Sequence, residues 1–240
     1  MTRAALVVPV AARTVLRDPF LRVMGIVPPA VALLFRYSFP AIDQALVQVL
    51  DPTVFRLREY FWFAQLFLIQ MAGMFAGGIS GFALLEDRDE GILTVMRVTP
   101  LGRTGYLTGR LLFPVLLAAV GAATVVPLCG LHRPAAQQFF WAVVASLPGA
   151  AVVPLLLSGF AANKVEGLAV FKLLGVLFLG PVVLLLPEHL SFIGWPLSSY
   201  WAARAYVAGG AVEAAGVAAV SVMCSVGYGM LARRGLRRRE

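Results

Sequence analysis

The sequence predicts an all-α, polytopic membrane protein. It has six transmembrane helices, an N-terminal interfacial helix and a cytoplasmic coupling helix between the second and third spans. Three observations predict it. Of the 240 residues, 60% are apolar and only 13% charged, against about a quarter charged in soluble domains, and the mean hydropathy is +0.85. The apolar residues fall into blocks of about 20, the length that crosses a hydrocarbon layer. When the block ends are assigned alternately to two sides, 15 of the 20 basic residues lie on one of them. The chain reads as one membrane domain over residues 1–240.

Residues 1–19 carry a short apolar run, Leu6 to Ala12, behind Arg3. Arg13, Arg17 and Asp18 follow where a signal peptide would place small residues for cleavage. The segment therefore reads as an imperfectly amphipathic helix lying on the inner membrane surface, with Arg13 and Arg17 one turn apart.

The apolar blocks run over 20–39, 60–85, 106–131, 139–162, 168–187 and 206–231. The first two spans thus occupy 20–85, spans three to six occupy 106–231, and 232–240 is a basic cytoplasmic tail. Helix is required because lipid offers no partner for unpaired backbone groups, and it accommodates the internal prolines Pro28, Pro29, Pro114, Pro127, Pro148, Pro154 and Pro181. A β-barrel would instead alternate in polarity over segments of about 10 residues, and 61–85 shows no alternation.

When block ends are assigned alternately to two sides, Arg36, Arg56, Arg58, Arg133 and Arg204 fall on one side and the other 15 of the 20 Lys and Arg residues on the opposite side. The positive-inside rule then places both termini in the cytoplasm. The same asymmetry accounts for the net charge of +8, so nucleic-acid binding is not implied. The tail RRGLRRRE is a stop-transfer anchor that can also attract anionic lipid.

No catalytic or metal constellation appears. Cys129 and Cys224 lie in separate spans, His132 and His189 in different outward loops, and Ser158 has no histidine in any span to activate it. No Gly-rich phosphate loop ends in Lys-Ser or Lys-Thr, so the chain carries no ATPase site of its own. Buried charge is sparse. Arg36 and Lys172 sit near span ends, where they can snorkel, and Glu213 is the deepest candidate, about 10 Å past Tyr206, unless the last span starts later. In the second span, Gly73, Gly77 and Gly81 recur every four residues on one face, which permits close helix packing within the bundle or between subunits.

Residues 86–104 hold the most specific signal. Glu86, Asp87, Asp89 and Glu90 suit a helix amino terminus and Arg97 its opposite end. Ile92, Val95 and Met96 share one face, and Pro100 stops the segment. The expectation is a cytoplasmic helix about 18 Å long, acidic at one end, with an apolar stripe for docking on a protein.

Here the sequence resembles the ABC-2-type membrane subunits of ATP-driven exporters. Their pattern after the second span is an acidic pair, Gly, a hydrophobic helix, Thr-Pro-Leu and a Gly-basic step into the third span. The matching residues are Glu86, Glu90, Gly91, Leu93, Thr94, Thr99, Pro100, Leu101, Gly109 and Arg110. Ile92 and Gly102 stand where Thr and Ser are common. The outward segment 187–205 before the last span also matches. The resemblance implies a permease subunit forming half of a translocation pathway in a bacterial cytoplasmic membrane. It implies a separate ABC ATPase subunit, which binds the ATP and grips Glu86 to Arg97, and a second membrane subunit, identical or homologous. Compact members of the family resemble drug-export permeases, including those for fluoroquinolones, so the expected substrate is a drug-like amphipathic small molecule. The alternative is an ion-gradient-driven secondary transporter or channel, which would need no ATPase partner and more buried charge. A lipid-modifying membrane enzyme would need a further carboxylate or histidine cluster.

Overall fold

The computed structural model describes residues 7–49, 56–96, 99 and 102–237, with side chains except at 7, 93, 94, 103, 104 and 233–237. Among these residues there are ten α-helices and no strand: α1 (Val7–Arg17), α2 (Pro19–Val49), α3 (Phe61–Asp89), α4 (Ile92–Val95), α5 (Gly102–Cys129), α6 (Ala136–Phe160), α7 (Lys164–Leu174), α8 (Gly180–Val183), α9 (Ser198–Val207) and α10 (Ala211–Arg237). Six segments are long and apolar enough to cross a membrane: Pro19–Val49, Leu57–Asp89, Gly105–Cys129, Ala136–Phe160, Lys164–Val183 and Ala211–Ala232. The chain is a multi-pass membrane protein.

α3 is the axis of the bundle: 83% of its apolar window is buried, against 22% for α2 and for α10. Its small residues explain the position, because helices in lipid associate through close packing rather than through a hydrophobic driving force. A Cβ on Gly77 would lie 2.6 Å from the Ala150 carbonyl oxygen, and one on Gly81 2.5 Å from Leu157 Cδ1; Gly73 lies beside Phe178 and Ser146. The stripe therefore faces α6 and the fifth span of the same chain. Two apolar clusters fill the bundle. One gathers Leu21, Ile79, Phe82, Leu157 and Phe171 toward the end that carries α1, and the other gathers Ala32, Leu66, Val125, Ala142 and Tyr206 toward the opposite end.

Four details depart from the sequence reading. First, α3 does not stop at residue 85; it continues to Asp89, and Gly91, at φ 71°, turns the chain out of it. The acidic cluster therefore begins on the last turn of the second span, where Arg110 of α5 pairs with Asp87 and Lys164 of α7 with Glu86. The helix that follows is the single turn Ile92–Val95, about 6 Å rather than 18.

Second, the fifth span is broken. α7 passes through the 3-10 turn Gly175–Phe178 into α8, whose Gly180-Pro181 start packs so closely that a Cβ on Gly180 would overlap Tyr200 and Ser199.

Third, 188–207 is not simply outward. After the 3-10 segment Glu188–Gly194, α9 starts deep in the bundle, where Ser221 Oγ lies 2.7 Å from Ala145 O and 2.9 Å from Ser198 O, its one proton shared between the two carbonyls. Ser199 Oγ donates to Leu177 O at 2.5 Å and accepts from Gly180 N at 3.0 Å. Ser221 is ten residues into α10, about 15 Å along it, so α9 re-enters the bundle to roughly half depth. Ten residues cannot cross a bilayer; Ser199 and Ser221 satisfy backbone groups that lipid could not, and the buried alanines of α9 allow it to pack closely.

Fourth, the last span starts at Ala211, not at Tyr206. Glu213 thus falls in the first turn of α10, where its Oε2 accepts from Gly209 N at 3.1 Å. A carboxylate at that end suits the helix dipole.

Candidate functional site

The polar residues concentrate at the end of the bundle where α1, the last turn of α3, the start of α5 and the α6–α7 junction meet. The last turn of α3 sends successive side chains in different directions, as a 100° step per residue demands. Asp87 turns inward and is 5% exposed. Its Oδ1 accepts from Arg110 Nη2 at 2.7 Å, and its Oδ2 accepts from Tyr106 Oη at 2.6 Å. Arg110 Nε in turn donates to Tyr106 Oη at 3.0 Å, and Ser80 Oγ donates to the Arg110 carbonyl at 2.8 Å. Tyr106 and Arg110 are four residues apart and share one face of α5. Every polar atom of the Asp87 carboxylate is thereby engaged, which buried charge requires.

Glu86 turns toward Lys164, whose Nζ lies 3.0 Å from Glu86 Oε1 and 3.4 Å from Asp18 Oδ2. Lys164 thus joins the α1–α2 corner, α3 and α7. Asp18 also accepts from Phe20 N at 2.8 Å at the start of α2. Burial pushes the Asp18 carboxyl up, but the Phe20 hydrogen bond and the Lys164 charge outweigh it and leave the group below its ordinary value. Arg88 reaches the end of α6 and donates to Ser158 O at 3.2 Å and Ala162 O at 2.8 Å, a cation on the negative end of a helix dipole. Asn163 Oδ1 caps α7 by accepting from Val165 N and Glu166 N, both at 3.0 Å.

Three of the charged side chains on this turn are therefore used internally. Asp89 and Glu90 remain exposed. Beyond Gly91, Ile92 and Met96 are half-buried and Val95 is 58% exposed. Thr99 Oγ1 donates to Met96 O at 2.9 Å. The side chain of Leu93, and Arg97 and Pro100 entirely, lie outside the described residues. A cleft of about 750 Å³ separates α1 from this element, with Arg13 and Arg17 on one wall and Glu86, Glu90 and Ile92 on the other.

Sequence reasoning grouped Glu86, Asp87, Asp89 and Glu90 as one surface. The structure divides them into two internal braces and two exposed carboxylates. Sequence reasoning assigned Asp18, Arg88, Tyr106 and Lys164 no part in this site, and Arg110 stood only as a step into the third span. The available signal was the pair Tyr106 and Arg110 on one helical face, 19 and 23 residues after Asp87. Among the described residues no three His, Cys, Asp or Glu side chains converge as a metal site would need. An exposed acidic and apolar turn hangs from the central helix, and its two stems, α3 and α5, are tied by a buried ion pair.

The family model described as "Fluoroquinolones export permease protein Rv2686c-like" matches residues 11–233. Two relatives from Mycobacterium tuberculosis are similar to the chain: Fluoroquinolones export permease protein MT2760, from strain CDC 1551 / Oshkosh, and Fluoroquinolones export permease protein Rv2686c, from strain H37Rv. Each is 30% identical over 147 residues, covering 58% of this chain and 57% of its own. The chain thus spans a little over half the length of the curated relatives it matches.

Proposed function

The chain belongs to the Rv2686c-like family of fluoroquinolone export permeases, and from that premise we propose that it is the membrane subunit of an ATP-driven exporter of drug-like amphipathic molecules. The observation that carries the reading is the tied turn itself: Asp89 and Glu90 at the end of α3 and Ile92, Val95 and Met96 just beyond it form the turn, while Asp87 and Arg110 hold its stems together. A separate ABC ATPase subunit grips this turn, and the cleft beside α1 gives its groove a second wall. Because α3 is the most buried helix, displacement of its end is transmitted to the whole bundle. ATP is bound by the partner, since the chain has no phosphate loop.

In this reading the end bearing α1 and the turn faces the bacterial cytoplasm, an orientation that the basic asymmetry supports. A second membrane subunit, identical or homologous, completes the pathway. The sparsely buried α2 and α10 leave apolar faces for it and for lipid. The gradient-driven alternative finds less support, because Asp87 is held by Arg110 and Tyr106 rather than left free to carry protons. The test is reconstitution in proteoliposomes, with a fluoroquinolone as substrate. Export is expected only when the chain, an ABC ATPase subunit and ATP are all present; export driven by a proton gradient without the ATPase subunit would overturn the reading.

A further inference from the structure

The end of the bundle opposite the proposed docking turn is poor in cations. Of the five basic residues that the sequence assigns to that side, three gather round two adjoining clefts. One cleft, about 630 Å³, lies between α2 and the α5–α6 connection and is lined by Arg36, His132, Arg133 and Phe139. The other, about 410 Å³, shares Arg36 and Gly130 and adds Arg58 and Asp43. Arg36 is 18 residues beyond Asp18, about 27 Å along a helix, so with Asp18 at one membrane surface its guanidinium reaches the opposite edge of a hydrocarbon layer of about 30 Å.

The guanidinium is only partly used. Arg36 Nη1 donates to Leu128 O at 3.1 Å, on the last turn of α5, which leaves most of its five donors without a protein acceptor among the described residues. Gly130, at φ 62°, makes the tight turn that brings the loop against it: a Cβ there would sit 3.5 Å from Nη1. Arg133 is exposed and makes no ion pair or hydrogen bond among the described residues. The nearby carboxylate, Asp43, lies in the second cleft and accepts from Arg58 N at 3.0 Å. Gln138 Oε1 accepts from Ala135 N at 3.1 Å at the start of α6, and the positive end of that 25-residue helix, whose Ala136 lines the cleft, adds to the same field. The remaining walls are apolar: Val126, Pro127 and the ring of Phe139.

We propose that the 630 Å³ cleft is an anion site at the outer membrane edge, with Arg36 and Arg133 holding a carboxylate and Phe139 packing on an aromatic body. On the functional reading above, its occupant is the acid group of the exported molecule. The volume is that of a pocket for a drug-sized ligand, and planar guanidinium forks match carboxylates. A phospholipid headgroup phosphate presents the same chemistry at the same depth, so the test must separate the two.

The full chain in nanodiscs of zwitterionic phosphatidylcholine is titrated with a fluoroquinolone acid and with its methyl ester, read by the drug's own fluorescence. The acid is expected to bind at least tenfold tighter than the ester, as loss of a charge-assisted contact implies. Arg133→Gln and Arg36→Gln should remove that preference, and Glu188→Gln should leave it unchanged. Arg36→Gln also loosens the end of α5, so Arg133→Gln, which breaks no described contact, carries the decision. Equal binding of acid and ester, or acid binding by Arg133→Gln as tight as wild type, overturns the proposal. In a parallel arm, native mass spectrometry follows phosphatidylglycerol retained by the chain. If Arg133→Gln abolishes that retention while the acid neither binds nor displaces the lipid, the cleft is a headgroup site and the substrate assignment is overturned. Binding is measured without the ATPase, so failure of ATP-driven export and failure of this site give separate results.

Discussion

Arg110, on the third turn of α5, places Nη2 2.5 Å from Asp87 Oδ2 on the last turn of α3, and both side chains are under a tenth exposed. The two residues bound the stretch that forms the exposed turn, so the pair closes that loop with an ion pair, beside the hydrogen bonds of Ser80 and Tyr106 between the same two helices. Breaking one member of such a buried pair strands a charge at a cost of about 3 to 5 kcal/mol, whereas replacing both with apolar groups is often close to neutral.

The first prediction follows from that contrast. Arg110→Leu and Asp87→Leu should each lower the thermal unfolding midpoint of the chain in lipid nanodiscs strongly, and the double variant should recover most of the loss. Additive losses in the double variant would show that the two side chains act separately.

The second prediction concerns α3. Gly77→Ala would drive a Cβ to 2.6 Å from a backbone oxygen and 2.7 Å from Val153 Cβ, and overpacking of this kind costs about 1 to 3 kcal/mol. Gly227→Ala meets nothing within 4 Å, so it should be neutral or slightly stabilising, as glycine-to-alanine changes in helices are. Unfolding midpoints of the two variants, compared at equal lipid content, read the difference.

The six crossings were legible in the sequence because span length is set by the bilayer and each block is internally apolar. The Gly73–Gly77–Gly81 spacing was legible as a packing face; its partner, α6, was not, since sequence spacing carries no information on which helix lies opposite. What stayed hidden shares one cause. Asp87, Arg110 and Lys164 look like ordinary charges near a membrane protein's connecting loops, and only the meeting of α3, α5 and α7 turns them into braces. The α9 re-entry was equally hidden, because Ser198 and Ser199 announce a loop by composition, while their partners Ser221 and Leu177 lie 22 or more residues away.

The third prediction tests orientation. In a variant with Cys129 and Cys224 replaced by alanine, single cysteines at Arg133 and Glu188 should react in intact cells with an impermeant thiol reagent, and one at Glu90 should not. Both groups are exposed in the structure, so unequal labelling reads sidedness rather than burial. Labelling of Glu90Cys from outside would invert the topology and remove the docking turn from the cytoplasm. Asp87 would be a poor probe, since its burial alone would protect it.

The last prediction tests the docking turn, and the structure sharpens which residues can report on it. Asp87 and Glu86 are committed to Arg110 and Lys164, so charge changes there would confuse folding with docking. Asp89 and Glu90 are exposed at the end of the braced turn, and Val95 on α4 is 58% exposed. If an ATPase subunit binds here, Glu90→Arg turns an attraction into a repulsion and Val95→Asp puts a charge where apolar contact is expected. Charge pairs at interfaces are worth about 2 to 5 kcal/mol when one partner is removed, so association with the ATPase should weaken at least tenfold. Surface substitutions rarely change stability by more than about 0.5 kcal/mol, so the unfolding midpoint should stay near wild type, unlike that of Arg110→Leu. Glu188→Arg, exposed at the start of the 3-10 segment before α9, serves as the control and should bind the ATPase normally. Pull-down of the ATPase by tagged variants measures association, and ATP-driven uptake into inverted vesicles measures coupling. Normal association and transport by both Glu90→Arg and Val95→Asp would mean that the turn is only a solvated connector, and the ATPase, if there is one, would have to engage the α1 wall of the cleft instead.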